Sequence, residues 1–198
     1  MLTTLLRPIV RRLLAPVGAR IPVHPNVLSS LGLAAAVAAA AGFALGAFRW
    51  AAVGIAVSGM FDLLDGAAAR ARNPRGSKLG GFIDSAMDRV ADSVLFLGLF
   101  LHYYLSVPVG HAGAVLAVLA VSGSNIASYF KARSEVEGVA CNVGLVKRAD
   151  RLILLMLLGM LGPVSGVPIL SVLVLFSAHS MWARAAFVYR RLGERTSG

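Results

Sequence analysis

Long apolar segments dominate the pattern of hydrophobic and polar positions along the chain. Because roughly 17 to 25 apolar residues cross the hydrocarbon core of a bilayer as one helix, six of these segments qualify as spans. They cover residues 27–48, 51–69, 80–105, 109–131, 145–161 and 167–188. The pattern therefore predicts an all-α integral membrane protein with six transmembrane helices and short connections.

The amino-terminal segment has a different pattern. Apolar residues recur there at helical spacing, with Arg7, Arg11 and Arg12 on the other side. Residues 1–22 are predicted to form an amphipathic juxtamembrane helix that lies on the membrane surface or docks on the protein's own body. Residues 23–198 then form the six-helix membrane domain, with Asn26 as the predicted N-cap of its first span.

Composition supports a membrane protein. Of 198 residues, 58% are hydrophobic and 14% charged, and the mean hydropathy is +0.78. These values exclude an ordinary soluble domain. Cys141 is the single cysteine, which excludes an intrachain disulfide and a cysteine-based metal site.

The 19 Lys and Arg residues, which give a net charge of +10, are unevenly distributed. They cluster before the first span, in the loop at 70–79, between 131 and 151, and in the tail, whereas the turns near Arg49, Ser106 and Gly166 hold one arginine between them. By the positive-inside rule, both termini and the 70–79 loop are cytoplasmic. Membrane lipids and phosphorylated substrates are the expected partners, and nucleic acid is not.

Four carboxylates interrupt the apolar pattern. Asp62 and Asp65 lie three residues apart near the end of the second segment, and Asp84 and Asp88 lie four apart near the start of the third. Each pair shares one face of a helix. A charged side chain at bilayer depth costs roughly 2.5 to 3.5 kcal/mol, so these groups need partners or a function.

Two helices facing each other through these carboxylates would carry a formal charge of −4. Two divalent cations would neutralise it, and hard oxygen ligands suit Mg²⁺ or Mn²⁺. The residues thus predict a two-metal phosphate site. The alternative is that the acids only form ion pairs with Arg70, Arg72 and Arg89.

The spacing D-x-x-D-G-x-x-A-R, then nine residues, then G-x-x-x-D-x-x-x-D resembles the motif of the CDP-alcohol phosphotransferase family. The match covers 27 residues and eight fixed positions, namely Asp62, Asp65, Gly66, Ala69, Arg70, Gly80, Asp84 and Asp88. The arrangement of apolar segments extends the resemblance over nearly the whole chain.

This resemblance implies an activity and a role for each motif residue. A lipid group would pass from a CDP-linked donor to an acceptor hydroxyl with release of CMP, and the enzyme would be a homodimer. Asp62, Asp65, Asp84 and Asp88 would hold two Mg²⁺ or Mn²⁺ ions, and Asp88 would also be the general base. Asp62, Asp65, Gly66, Ala69, Arg70 and Gly80 would bind the CDP portion.

Two further stretches resemble the branch of the family that uses inositol phosphate. They are S-Y-x-K-A-R-x-E around Lys131 and R-x-x-R-L at Arg148 and Arg151. Lys131, Arg148 and Arg151, together with Arg191, are predicted to bind the acceptor's phosphate. The positive-inside rule is an alternative explanation, because it also places basic residues at span ends. CDP-diacylglycerol and CDP-archaeol both stay open as donor.

Several alternatives remain at this point. Glycerol-3-phosphate, serine or free inositol could be the acceptor, and CDP-inositol could be a soluble donor. A cation or proton transporter would also explain buried carboxylates, but it would not explain the motif glycines or Arg70. A non-catalytic membrane scaffold is a third class.

Asp92 lies outside the motif but continues the face of Asp84 and Asp88 by one turn. It either takes part in the site or pairs with Arg89, three residues before it.

The charge asymmetry makes a testable prediction about topology. In a chain whose Cys141 is replaced, Val107→Cys should react with an impermeant thiol reagent added to intact cells, and Gly76→Cys should react only after lysis. Labelling of position 76 from outside would contradict the predicted orientation.

Overall fold

The computed structural model describes residues 16, 18, 20–73, 77–105, 111–141, 143–144 and 147–196, without the side chains of 195 and 196. Within these ranges all regular secondary structure is helical, as predicted. The predicted juxtamembrane helix at 1–22 lies mostly outside the described residues.

The described residues 16, 18 and 20 are helical, and from residue 25 onward the described chain forms six α-helices and one short 3-10 helix. They are α1 Pro25–Ala44, α2 Phe48–Arg72, α3 Lys78–Leu105, α4 His111–Val136, α5 Arg148–Leu161, the 3-10 helix Pro163–Ser165 and α6 Gly166–Thr196. Helices α2 and α3 contain the two halves of the motif, separated by a short connection.

Local chemistry explains where α1 begins and ends. The cap is His24, whose Nδ1 accepts a hydrogen bond from the Asn26 amide at 3.3 Å. Asn26, the predicted N-cap, lies inside the first turn because Pro25 is tolerated at the first helical position, where no amide hydrogen is needed. The helix ends before Gly46, whose φ of +78° suits glycine.

Small residues let the helices pack closely. Helix α1 packs on α2 and α3, α2 packs on α5, and α4 packs on α3 and α6. At the contact of α5 with α2, a Cβ atom on Gly159 would lie 2.8 Å from the Phe48 carbonyl oxygen, so only glycine fits. The core is completed by large buried side chains, among them Phe43, Phe96, Leu99, Leu155 and Leu158.

The six predicted spans are confirmed in part. Within the part of the chain that the structure describes, four segments are long and apolar enough to cross a membrane, namely Pro25–Ala44, Phe48–Arg72, His111–Val136 and Pro163–Glu194. Helix α3 has 28 residues but carries the charged motif positions. Helix α5 has only 14 residues, about 21 Å of helix, which is short of a core about 30 Å thick.

Candidate active site

Three motif carboxylates meet where the end of α2 faces the start of α3. Oxygen atoms of Asp62, Asp84 and Asp88 all lie within 4.8 Å of one another. They border a cavity of about 20 Å³ that is also lined by Ser29, Ser58, Asp65 and Arg148. A space of this size admits one water or small ion, and hard oxygen donors around it fit Mg²⁺ or Mn²⁺.

Asp65, the fourth motif carboxylate, is held by a neighbouring helix. Its Oδ2 accepts a hydrogen bond of 2.5 Å from the Ser29 hydroxyl on α1. Asp65 is buried and lines the same cavity, although it lies outside the group of three carboxylates in mutual ligand distance. Such a hydrogen bond fixes the direction in which a carboxylate presents its other oxygen.

Arg148, the first residue of α5, joins the two halves of the motif. Its Nη1 lies 2.9 Å from Asp62 Oδ1 and 2.7 Å from Asp88 Oδ1, and its Nε lies 3.5 Å from Asp92 Oδ1. The side chain is 16% exposed, so these contacts form largely out of water. A basic residue predicted for the acceptor's phosphate thus lies directly against the motif carboxylates.

Asp92 forms ion pairs with arginines of α5. The pair with Arg89, one of two interpretations of the sequence, is not observed. Asp92 Oδ2 accepts a hydrogen bond from Arg151 Nη2, and both residues are buried. The side chain faces the interior of the bundle, where α5 supplies the opposite charge. Arg148, Arg151 and Asp92 are therefore one connected network with Asp62 and Asp88.

The remaining motif residues line a larger cavity of about 1000 Å³ that also includes the four motif aspartates. Gly66, Ala69, Arg70 and Gly80 all border it. A Cβ atom on Gly66 would lie 3.1 Å from Arg70 Nη1, so the missing side chain makes room for the guanidinium one turn later. The eight motif positions thus surround one space.

The lining of this cavity is partly apolar. Ile55 and Met60 of α2 and Leu152, Ile153 and Met156 of α5 contribute apolar side chains to it. Polar residues also line it, including His24, Asn26, Arg72, Asn73 and Lys147. The cavity therefore offers contacts to both polar and apolar parts of a ligand.

Two predicted site residues, Lys131 and Arg191, form ion pairs outside this network. Lys131 pairs with Glu135 at 3.7 Å along its own helix, and its side chain is 44% exposed. Arg191 pairs with Glu194 at 3.4 Å and lies over the Phe187 ring. Of the four bases predicted for the acceptor, Arg148 and Arg151 are joined to the carboxylates.

Two residues with a part in the site's architecture were not predicted from the sequence. Ser29 donates a hydrogen bond to Asp65. The signal in the sequence that could have identified Ser29 is its position one helical turn after Pro25. Arg184 of α6 donates to the Ala127 and Val143 carbonyls at 2.5 and 3.0 Å, which ties the segment before α5 to α4. No sequence pattern identified Arg184, because its partners are backbone atoms of distant residues.

Comparison with known proteins decides the family. A model of the CDP-alcohol phosphatidyltransferase family matches residues 22–189. The chain belongs to this family. It is a transferase of phospholipid biosynthesis from a family of membrane enzymes, which confirms the resemblance based on the motif.

The chain is similar to characterised members from archaea and bacteria. The archaetidylinositol phosphate synthase of Methanothermobacter thermautotrophicus is 36% identical over 150 residues, which cover 76% of this chain and 73% of the relative. The phosphatidylinositol phosphate synthase of Mycobacteroides abscessus is 37% identical over 134 residues, 67% of this chain and 60% of the relative.

Solved structures of one relative have the same fold. Phosphatidylinositol phosphate synthase of Mycobacterium tuberculosis with CDP-DAG bound gives a TM-score of 0.77 at 27% identity over 92% of both chains. The same enzyme in complex with manganese and citrate also gives a TM-score of 0.77, over 92% of this chain and 88% of that one. The predicted divalent-metal cofactor is confirmed by this family membership together with the carboxylate cluster.

The contact between Ser29 and Asp65 makes a prediction about metal affinity. Ser29→Ala should weaken Mn²⁺ binding roughly 10-fold or more, because loss of a hydrogen bond to a ligand typically costs that much. Binding of Mn²⁺ to the purified protein can be followed by electron paramagnetic resonance.

Ser30→Ala is the matched control. Both hydroxyls bond a carbonyl four residues back, Ser29 to Pro25 at 3.2 Å and Ser30 to Asn26 at 2.9 Å, but only Ser29 has a recorded contact with an aspartate. Equal Mn²⁺ affinities in the two variants would show that the Ser29 contact does not support the metal site.

Proposed function

We propose that the chain transfers a phosphatidyl or archaetidyl group from a CDP-linked lipid to a hydroxyl of an inositol phosphate, with release of CMP. The observation that carries this proposal is the contact of Arg148 with Asp62 and Asp88. It joins a basic residue suited to a phosphorylated acceptor to the carboxylates of the transferase motif. The activities named for two similar proteins, an archaetidylinositol phosphate synthase and a phosphatidylinositol phosphate synthase, support it.

The larger cavity accounts for the donor. Gly66, Ala69, Arg70 and Gly80 border this cavity together with Asp62 and Asp65, and we assign them to the CDP portion. Arg70 would donate charge-assisted hydrogen bonds to the pyrophosphate. The apolar lining residues of α2 and α5 suit the first part of the lipid chains, whether they are acyl chains of CDP-diacylglycerol or isoprenoid chains of CDP-archaeol.

Asp62, Asp65, Asp84 and Asp88 are assigned to two divalent ions. Such ions, when bound, would offset the charge of the pyrophosphate and of the departing CMP. Three of these carboxylates already converge, and Asp65 is oriented by Ser29. The protein thereby supplies fixed oxygen ligands with little reorganisation.

Asp88 is assigned as the general base. It accepts the proton of the acceptor hydroxyl while the oxygen forms a bond to the donor phosphorus distal to cytidine. The bond from that phosphorus to the bridging pyrophosphate oxygen breaks, and CMP leaves with that oxygen. The proton on Asp88 then passes to solvent. Arg148 Nη1 lies 2.7 Å from Asp88 Oδ1, which places a guanidinium beside the carboxylate that takes the proton.

Arg148 and Arg151 are the main candidates for binding the acceptor's phosphate. Guanidinium groups bind phosphate oxygens with two donors at once. Lys131 and Arg191 are assigned a weaker part, because both are largely exposed and pair with acids on their own helices. A neutral acceptor such as serine or free inositol would not use these cations.

We further propose the arrangement in the membrane. All six helices lie within the bilayer region, with α3 and α5 packed against the longer spans, and residues 1–22 lie on the membrane surface. Both termini and the site face the cytoplasm, as the positive-inside rule favours. The enzyme is a homodimer, an assignment that rests on the family resemblance alone.

A transporter is the alternative from another class. Membership of a transferase family weighs against it, and metal-dependent CMP release from CDP-diacylglycerol or CDP-archaeol separates the two. A transporter or a scaffold would release none.

Replacement of the base should affect chemistry more than binding. Asp88→Asn keeps the size and polarity of the side chain but cannot accept the proton, so turnover should fall by roughly 10² to 10⁴. Affinity for the CDP-lipid should change much less. Steady-state CMP release and equilibrium binding of the CDP-lipid measure the two effects. A parallel loss of turnover and affinity would make Asp88 mainly a metal ligand.

The acceptor assignment is tested with a panel of inositol phosphate, glycerol-3-phosphate, serine and inositol, each with both donor lipids. Inositol phosphate should be fastest. Arg151→Ala should raise its KM by one to two orders of magnitude, because a charge-assisted hydrogen bond contributes roughly 1.5 to 3 kcal/mol, and should leave the donor KM unchanged.

Arg133→Ala is the control for Arg151→Ala, since Arg133 is exposed and pairs with Glu137, the residue that follows α4. Arg148→Ala and Lys131→Ala complete the series, with a larger effect expected for Arg148. Faster turnover of glycerol-3-phosphate or serine would overturn the choice of acceptor while leaving the transferase activity intact.

A further inference from the structure

We propose that Asp92 is a positioning residue that holds Arg148 and Arg151 in place for the acceptor's phosphate. The proposal rests on the function proposed above and extends it to a residue outside the motif. Asp92 lies on α3, one turn beyond Asp88, and its side chain is 2% exposed. A carboxylate this deeply buried needs opposite charge close by.

Asp92 contacts both arginines through different oxygens. Its Oδ2 accepts a hydrogen bond from Arg151 Nη2, and its Oδ1 lies 3.5 Å from Arg148 Nε. The contact with Arg151 is a hydrogen bond, and the contact with Arg148 is a longer ion pair without a hydrogen bond. One carboxylate therefore holds both guanidiniums close to each other. Planar groups held in this way lose less freedom when a phosphate binds.

Arg148 and Arg151 would repel each other without this carboxylate. They lie three residues apart on α5 and so share one helix face. Their side chains are only 16% and 9% exposed, so water screens the repulsion poorly. The negative charge of Asp92 between them allows two cations to remain together at the start of α5, where Arg148 lines both cavities.

The network also fixes where the phosphate would lie relative to the reacting groups. Arg148 Nε faces Asp92, while Nη1 of the same guanidinium contacts Asp62 and Asp88. Asp92 therefore contacts Arg148 through a different guanidinium nitrogen from the one that contacts the motif carboxylates. A shift of this arginine would move a bound acceptor away from the base, and small displacements of this kind reduce reactivity strongly.

A purely structural role would have different consequences. A buried ion pair is weak evidence for stability, because desolvation offsets much of the attraction. If Asp92 only stabilised the bundle, its loss would lower thermal stability and would affect donor and acceptor alike. If it positions the arginines, its loss affects the acceptor selectively.

The test uses full-length protein in detergent micelles, with inositol phosphate and CDP-diacylglycerol as substrates. Asp92→Asn should raise the KM for inositol phosphate roughly 10- to 100-fold and leave the KM for CDP-diacylglycerol within about twofold, the scatter expected for a site it does not contact. Calorimetric titration with inositol phosphate should show the same loss of affinity without turnover. Asp92→Glu, which keeps the charge, should recover part of it.

Two comparisons make the result specific. Glu137→Gln removes a carboxylate from an exposed ion pair with Arg133, 2.6 Å long, and should change neither KM. In an Arg151→Ala background, Asp92→Asn should have a smaller effect than in the wild type, because one of the groups through which it acts is gone.

Several outcomes would overturn the proposal. Equal effects of Asp92→Asn on both substrates, full additivity with Arg151→Ala, or loss of folded protein in both Asp92 variants would make Asp92 a structural residue. Wild-type enzyme that turned over another phosphorylated alcohol and not inositol phosphate would instead contradict the proposed acceptor, and the Asp92 effect would then be measured on that alcohol.

Discussion

The burial of negative charge inside an apolar helical bundle is the constraint on which this structure depends. Five aspartates, Asp62, Asp65, Asp84, Asp88 and Asp92, occur in α2 and α3. Asp65 and Asp92 are buried, Asp62 and Asp88 are half-buried, and Asp84 is exposed. Buried carboxylates are stable only with cations or hydrogen-bond donors at short distance. Arg148, Arg151 and Ser29 provide these contacts to all of them except Asp84, which ties α1 and α5 to the motif helices.

This requirement explains why small residues recur away from the site. Gly159 lets α5 approach the backbone of α2, and that approach brings the first turn of α5 to Asp62 and Asp88. A bulkier residue there would separate Arg148 from its partners without touching the site itself. The packing in the apolar part of the bundle therefore determines which charged groups meet at its end.

Much of the site was predictable because its spacing is local. Helical periodicity alone put Asp62 with Asp65 and Asp84 with Asp88. The two motif helices meet through these carboxylates at one end, while both pack on α1 instead of closely on each other. The partners of Asp92 could not be found in this way, since Arg151 is 59 residues away and the rotation of α5 depends on packing. The span predicted at 145–161 is longer than the helix observed there for a similar reason. An apolar run does not reveal that the described helix begins at Arg148.

The distribution of the site over four helices has a consequence for how relatives are recognised. Every residue of the motif lies before α4, whereas Arg148 and Arg151 come after it. A shortened chain ending with α4 would keep all eight motif positions and would score as an intact transferase in a motif search. It would nevertheless lack the cations that neutralise Asp62, Asp88 and Asp92. A complete motif is thus evidence of common ancestry. Catalytic competence has to be judged from residues that the motif does not contain.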